Sequence, residues 1–190
     1  MVNLTRIYTR TGDDGTTALG DMSRTAKTDP RIAAYADANE ANAALGVALA
    51  LGGLPQDVAR VLVRVQNDLF DVGADLATPV VPDPKYPPLR VEQSYVDRLE
   101  AECDRYLEDL EKLRSFILPG GTPGGALLHQ ACTVVRRAER STWAALAEHA
   151  ETMNPLTATY LNRLSDLLFI LARTANKAEG DVLWVPGENR

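Results

Sequence analysis

Two histidines and two cysteines occur in 190 residues, and aromatic residues make up 6% of the chain. Each shortage excludes a class of chemistry. A di-iron carboxylate centre in a helical protein needs Glu-x-x-His pairs, but Ala126 and Leu146 stand three residues before His129 and His149. Zinc hydrolysis through H-E-x-x-H and Ser-His-Asp catalysis lack the histidines they require. His129 therefore reads as a packed or hydrogen-bonded helix residue rather than a ligand. Cys103 and Cys132 make neither a CxxC pair nor a zinc spacing, which points to reduced thiols in a cytoplasmic protein. No run of about 18 apolar residues occurs, so no membrane span is expected. The N-terminus, M-V-N-L-T-R-I-Y, lacks the apolar core of a signal peptide. Positive charge is also short: the formal net charge is −6. That disfavours a general nucleic-acid binder while leaving room for a local basic pocket.

What is abundant is alanine and leucine, a composition for helices rather than sheets. The length suits one domain that buries about 70% of the surface of its unfolded chain. Three helix starts are written in the same local chemistry, a capping side chain followed by proline: Asp29-Pro30, Thr122-Pro123 and Asn154-Pro155. Apolar periodicity and glycine stops predict helices over about 31–51, 55–77, 91–113, 125–149 and 155–179. Five prolines between Thr78 and Arg90 mark a connection. The third helix carries the most charge and is expected to face solvent. In the second, Asp71 and Asp75 lie one turn apart, which is costly unless they are exposed or paired. The fifth places Leu161, Leu164, Leu168 and Leu171 on one stripe, with Asn162, Asp166, Phe169 and Arg173 on the neighbouring face. No internal repeat is present. The expected architecture is all-α, an up-down five-helix bundle.

The chemistry-bearing residues point to an anion. Thr9–Thr17, T-R-T-G-D-D-G-T-T, offers hydroxyl, guanidinium and backbone donors around Gly12 and Gly15. It is not a Walker A loop, and by composition alone it also fits a mobile polar tail with a turn at Asp14-Gly15. Lys27 follows; on its own it is an ordinary exposed lysine. The fourth helix holds R-R-A-E-R at 136–140, preceded by the glycine-rich F-I-L-P-G-G-T-P-G-G. Arg136 and Arg140 share a face with Glu139, while Arg137 is turned away from that stripe, towards a core or a partner. A solvated helix surface with local ion pairs is the plain alternative. Asn162 fits either a buried hydrogen bond between helices or a contact to a sugar or base. Phe116, in a short apolar run, is expected in the core by residue type.

Four segments in order (Y-T-R-T-G-D-D-G-T-T, F-I-L-P-G-G-T, R-R-A-E-R and Y-L-N-R-L-S-D) give the chain its resemblance to the PduO-type ATP:cob(I)alamin adenosyltransferases, and the likeness covers nearly its whole length. The resemblance implies a homotrimer with active sites between adjacent subunits. It divides the chain into a mobile ATP-binding segment at 1–28, the bundle at 29–180 and a tail at 181–190. It implies that Thr9, Arg10, Thr11, Gly12, Thr17, Ala18 and Lys27 line the ATP triphosphate. Arg136, Arg137, Glu139 and Arg140 would contact ATP from the facing subunit or brace those contacts, and Asn162 would complete the nucleotide site. Phe116 would lie below the corrin ring and expel the lower axial ligand. The implied reaction is attack of cob(I)alamin on C5′ of ATP with loss of triphosphate. Mg²⁺ would be held by phosphate oxygens and water. A cobalamin reductase and an adenosylcobalamin-dependent mutase are the implied partners, with no role for nucleic acid or membrane. Two departures stand out. Cys132 occupies the place of a family arginine that pairs with the aspartate matched here by Asp37, so Asp37 is left to Arg136 or Arg137. Ala18 replaces a residue that can carry a hydroxyl, leaving its backbone N–H for phosphate. A non-catalytic corrinoid carrier and a nucleotide-sensing trimer are the rival readings.

Overall fold

The computed structural model describes residues 8–84 and 86–188. Five helices dominate: α1 (Pro30–Leu51), α2 (Gln56–Leu76), α3 (Gln93–Leu107), α4 (Pro123–His149) and α5 (Leu156–Asn176). They pack in the spatial order α2, α1, α4, α5, α3. A single 3₁₀ turn, Ala150–Thr152, joins α4 to α5. The capping chemistry works as its residues require. The Asp29 carboxylate accepts from the Arg31 N–H at 2.8 Å, the Thr122 hydroxyl from Gly125 at 3.0 Å, and the Asn154 side chain from Leu156 at 3.1 Å.

The core is aliphatic. Leu161, Leu164, Leu167, Leu168 and Leu171 of α5 are wholly buried against Leu45, Leu62, Leu69 and Leu128 from the surrounding helices. Each such side chain contributes about 1.5–3 kcal/mol. Alanines 34, 38, 41 and 48 are the buried residues that let α1 lie close to α4. The outward side of α1 is also apolar: Ala36, Ala43 and Val47 are exposed. The periodicity of this helix therefore does not choose one face for the core.

Two features differ from the sequence expectation. The third helix stops at Leu107 rather than 113. Its next residues are drawn off by tertiary contact, the Glu111 carbonyl accepting from Arg173 Nη2 at 2.8 Å. The second is a small antiparallel hairpin, β1 (Thr16–Ala18) with β2 (Arg24–Ala26), in the segment that looked like a polar tail. It docks on the bundle where Gly20 N–H donates to the Ala77 carbonyl at 2.8 Å.

Asp71 and Asp75 resolve their repulsion by separate pairing. Asp71 accepts from the Tyr95 hydroxyl at 2.9 Å. Asp75 is 1% exposed and holds the proline-rich connection, accepting from Arg90 at 2.6 Å, from Val91 N–H at 2.7 Å and from Asn154 at 2.7 Å. Removing one partner of a buried pair leaves the other uncompensated. Asp75→Ala is therefore expected to lower unfolding free energy by about 3–5 kcal/mol, read as a shift of the denaturant midpoint at unchanged slope. A midpoint within error of the parent would show that this knot carries no stability.

Candidate active site

Three groups of candidate residues stand at three levels of the bundle. At one end the hairpin abuts the close of α4: His149 Nε2 lies 3.0 Å from Asp29, whose other oxygen accepts from Thr25 of β2 at 2.7 Å. Here Thr9 and Thr11 share a hydroxyl hydrogen bond of 3.0 Å, and Arg10 sits at φ 62°. Lys27 folds back over the loop so closely that a Cβ on Gly12 would come within 3.1 Å of its ammonium. The Thr16 carbonyl oxygen would be nearer still, at 3.0 Å, so close backbone approach as well as the cation disfavours a side chain at 12. Thr17 faces Thr25 across the hairpin, and Ala18 pairs with Arg24. Arg24, which the sequence did not single out, organises the loop. It donates to the Thr11 carbonyl at 2.6 Å, hydrogen-bonds Thr16 and lies 3.6 Å from Asp14. Asp14 accepts from the Thr16 N–H and hydroxyl at 3.0 and 2.7 Å, making the expected turn and holding its carboxyl below the usual range.

The second group lies mid-way along α4 and α5. Arg136 and Arg140 are exposed on one face, and among the described residues neither pairs with a carboxylate; Arg140 Nη1 donates back to the Arg136 carbonyl at 3.2 Å. Glu139 accepts from Asn162 Nδ2 at 3.2 Å and from Trp143 Nε1 at 3.3 Å. Asn162 does link two helices, but at the surface rather than in the core. Arg137 points the other way. Its Nε lies 3.5 Å from Asp37, and it forms an ion pair with Glu40. Ser141 also donates to Asp37, so Asp37 is satisfied by α4. Cys132 is buried, its thiol donating to the Ser165 carbonyl at 3.2 Å, and burial raises its pKa.

The third group is at the opposite end. Phe116 is 77% exposed, contrary to the core position that its residue type suggests. Its backbone pairs with the C-terminal segment: Trp184 N–H donates to the Phe116 carbonyl, and Leu118 N–H to the Val182 carbonyl, both at 2.8 Å. The rings of Phe116 and Trp184 meet edge to face with centroids 6.0 Å apart. Beneath them the Asn176 amide grips the glycine turn, accepting from Thr122 N–H at 2.9 Å and donating to the Gly120 carbonyl at 2.8 Å. Gly121 has φ 96°, a left-handed conformation that a side chain disfavours.

Along α4 the distance from the hairpin end to the Phe116 end is about 40 Å, with Arg136 near its middle. One chain therefore brings Arg136, Arg140, Glu139 and Asn162 together, and separately Lys27 with the Thr9–Gly12 loop. It does not join these groups to each other or to Phe116.

A family model described as cobalamin adenosyltransferase matches residues 7–175. The chain belongs to the cobalamin adenosyltransferase family. It is 66% identical over 189 residues to the corrinoid adenosyltransferase of Mycobacterium tuberculosis, covering 100% of this chain and 97% of that one. To the corrinoid adenosyltransferase PduO of Salmonella typhimurium it is 42% identical over 170 residues, 88% of this chain and 48% of that longer protein. Among solved structures, a phenylalanine-to-histidine variant of the PduO-type ATP:corrinoid adenosyltransferase from Lactobacillus reuteri, complexed with cobalamin and ATP, superposes with a TM-score of 0.87 at 35% identity. The match covers 95% of this chain and 97% of that one. An arginine-to-lysine variant of the same enzyme, complexed with ATP, gives 0.84 at 34% identity, covering 94% and 100%. The five-helix bundle is thus the adenosyltransferase fold. None of its described helices is long and apolar enough to cross a membrane.

Proposed function

We propose that this chain transfers the 5′-deoxyadenosyl group of ATP to the cobalt of a corrinoid. The observation that carries the reading is its full-length likeness to an enzyme complexed with cobalamin and ATP. The cobalt enters as Co(I) and donates its electron pair to C5′. The Co–C5′ bond forms as the C5′–O bond breaks, and the bonding pair of C5′–O leaves on triphosphate. No protein nucleophile or base is needed. The protein's task is to align two large substrates and to neutralise charge gathering on the leaving group. Lys27, Arg136, Arg140 and the N–H groups of the Thr9–Gly12 loop supply that neutralisation. Arg137 holds α4 to α1 through Asp37 and Glu40, and Glu139 fixes Asn162 for the nucleoside. Phe116, exposed on its paired strands, forms an apolar floor under the corrin ring that keeps out water and a lower axial ligand.

The span between Lys27 and Phe116 exceeds the length of an ATP molecule, so one reaction centre draws them from different subunits. The apolar outer face of α1 and Trp143, 50% exposed on α4, supply surface for such contact. We therefore place the active sites between the subunits of a homotrimer. Among the described residues no three His, Cys, Asp or Glu side chains are grouped to hold a metal ion. Magnesium in this scheme arrives with the triphosphate and takes its ligands from phosphate and water. The two buried free thiols suit the cytoplasm, where a reductase would supply Co(I) and a mutase would receive the product.

An anaerobic optical assay with chemically reduced cob(I)alamin, Mg-ATP and purified trimer tests the reading. ATP-dependent decay of the Co(I) band into adenosylcobalamin is expected. Stable cob(I)alamin in trimeric, ATP-binding protein would overturn the assignment.

A further inference from the structure

The C-terminal segment that pairs with the Phe116 strand is fastened by charges that the reaction scheme does not use. Arg173, on the last turn of α5, is 7% exposed. Its Nε donates to Asp181 Oδ2 at 2.8 Å, and its Nη2 to the Glu111 carbonyl at 2.8 Å. The other Asp181 oxygen, Oδ1, is buried without a partner, and so is Nε2 of His129 on α4. His129 is 6% exposed and packs edge-on against Phe169, with ring centroids 5.8 Å apart. Burial holds its pKa down, and the Asp181 carboxylate opposes that shift. Immediately after Asp181, the chain enters the ladder in which Ile117 faces Leu183 and Trp184 meets Phe116.

We infer that Asp181, clamped by Arg173, is a positioning residue for Phe116. This rests on the reading that Phe116 floors the corrinoid site. A buried ion pair is a poor way to gain stability, because desolvating the two ions offsets their attraction; its best-attested use is to fix register. Register is what this strap needs. A two-stranded contact this short has little side-chain burial to set its pairing, and a slip of one residue turns every side chain to the opposite face. Trp184 would then leave the ring of Phe116, and the exposed phenylalanine would lose its lateral support. Asn176 holds the other end of the same loop, one turn further along α5. The last turn of α5 thus fixes the phenylalanine platform from both sides.

The test is Asp181→Asn, which keeps an acceptor for Arg173 and removes the charge, with Phe116→Ala measured beside it. Melting temperature, ATP affinity and the Mg-ATP-dependent spectrum of bound cob(II)alamin are read for each. For Asp181→Asn the four-coordinate cob(II)alamin signal is expected to fall by about tenfold or more, since small misplacements in a site have effects of that order. ATP affinity should change by less than about twofold, because Asp181 contacts none of the described groups assigned to the nucleotide and Arg136 lies about 20 Å along α4 from the platform. An unchanged cobalamin spectrum, or an equal loss of ATP affinity, overturns the inference. If Asp181→Asn does not fold, Arg173→Lys replaces it, since an ammonium keeps the charge but cannot hold Asp181 and the Glu111 carbonyl together in the fixed fork of a guanidinium. A corrinoid-specific loss supports the inference and its absence overturns it. If Phe116→Ala itself leaves the spectrum unchanged, the floor reading fails and the inference falls with it. If Phe116→Ala loses the signal while Asp181→Asn keeps it, only the positioning role fails.

Discussion

Arg136→Ala is expected to lower turnover by about a hundredfold or more, the effect of deleting one preorganised donor to a developing anion. The reason lies in what the guanidinium does not do. Arg137, its neighbour, is engaged with Asp37 and Glu40 and holds two helices together. Among the described residues Arg136 and Arg140 are kept out of ion pairs, on a protein with a net charge of −6. Two like charges one turn apart repel and destabilise an isolated helix, so their pairing on one face makes sense when an anion joins them. Substrate-bound, that anion gains charge as C5′–O breaks, and the interaction strengthens at the transition state. The effect should therefore appear in kcat as well as in kcat/KM. Arg136→Lys should recover only part of the rate, since an ammonium cannot offer the paired donors of a guanidinium. Single-turnover formation of adenosylcobalamin is the measurement, and a near-parental rate for Arg136→Ala would remove this residue from the reaction.

Phe116→Ala is expected to bind ATP like the parent and to lose the four-coordinate Co(II) state altogether. Reduction to Co(I) is easier when cobalt has no lower ligand, and the side chain that excludes one must be large, apolar and unburied before substrate arrives. Phe116 meets each condition: it is 77% exposed, braced at its edge by Trp184, and mounted on backbone anchored through Asn176. Alanine leaves space for water to reach the metal. Turnover starting from chemically prepared cob(I)alamin should suffer less than turnover starting from Co(II) with a reductant, because the lower face matters most for the reduction. Equal losses from both starting states would place Phe116 in general corrinoid binding instead.

The helix starts were legible in the sequence because they are local. Asp29-Pro30 and Thr122-Pro123 carry their caps within three residues. The leucine stripe of α5 was legible for a similar reason, since periodicity along one helix names its buried face. The end of α3 was not legible, because it is decided by Arg173, distant in sequence, taking the Glu111 carbonyl. The hairpin was hidden as well; Thr16–Ala18 and Arg24–Ala26 alternate too briefly to show a strand period. At the site, spacing separated Arg136 from Arg137, but only packing reveals that Arg137 faces α1. Phe116 shows the limit of residue-type statistics, since its type suggests the core and the fold leaves it exposed. Arg173 and Asp181 gave one faint signal, a charged residue on the flank of a leucine stripe followed by a glycine stop and an acid. Arg24 gave none.

In the proposed homotrimer Lys27 and Phe116 stand at opposite ends of each subunit, which has a genetic consequence. An allele damaged only at the hairpin and another damaged only at the phenylalanine platform would each be null alone. Expressed together they would co-assemble, and some interfaces would receive the intact half from both products. The two defects would complement within one gene, whereas two alleles damaged at the same end would not.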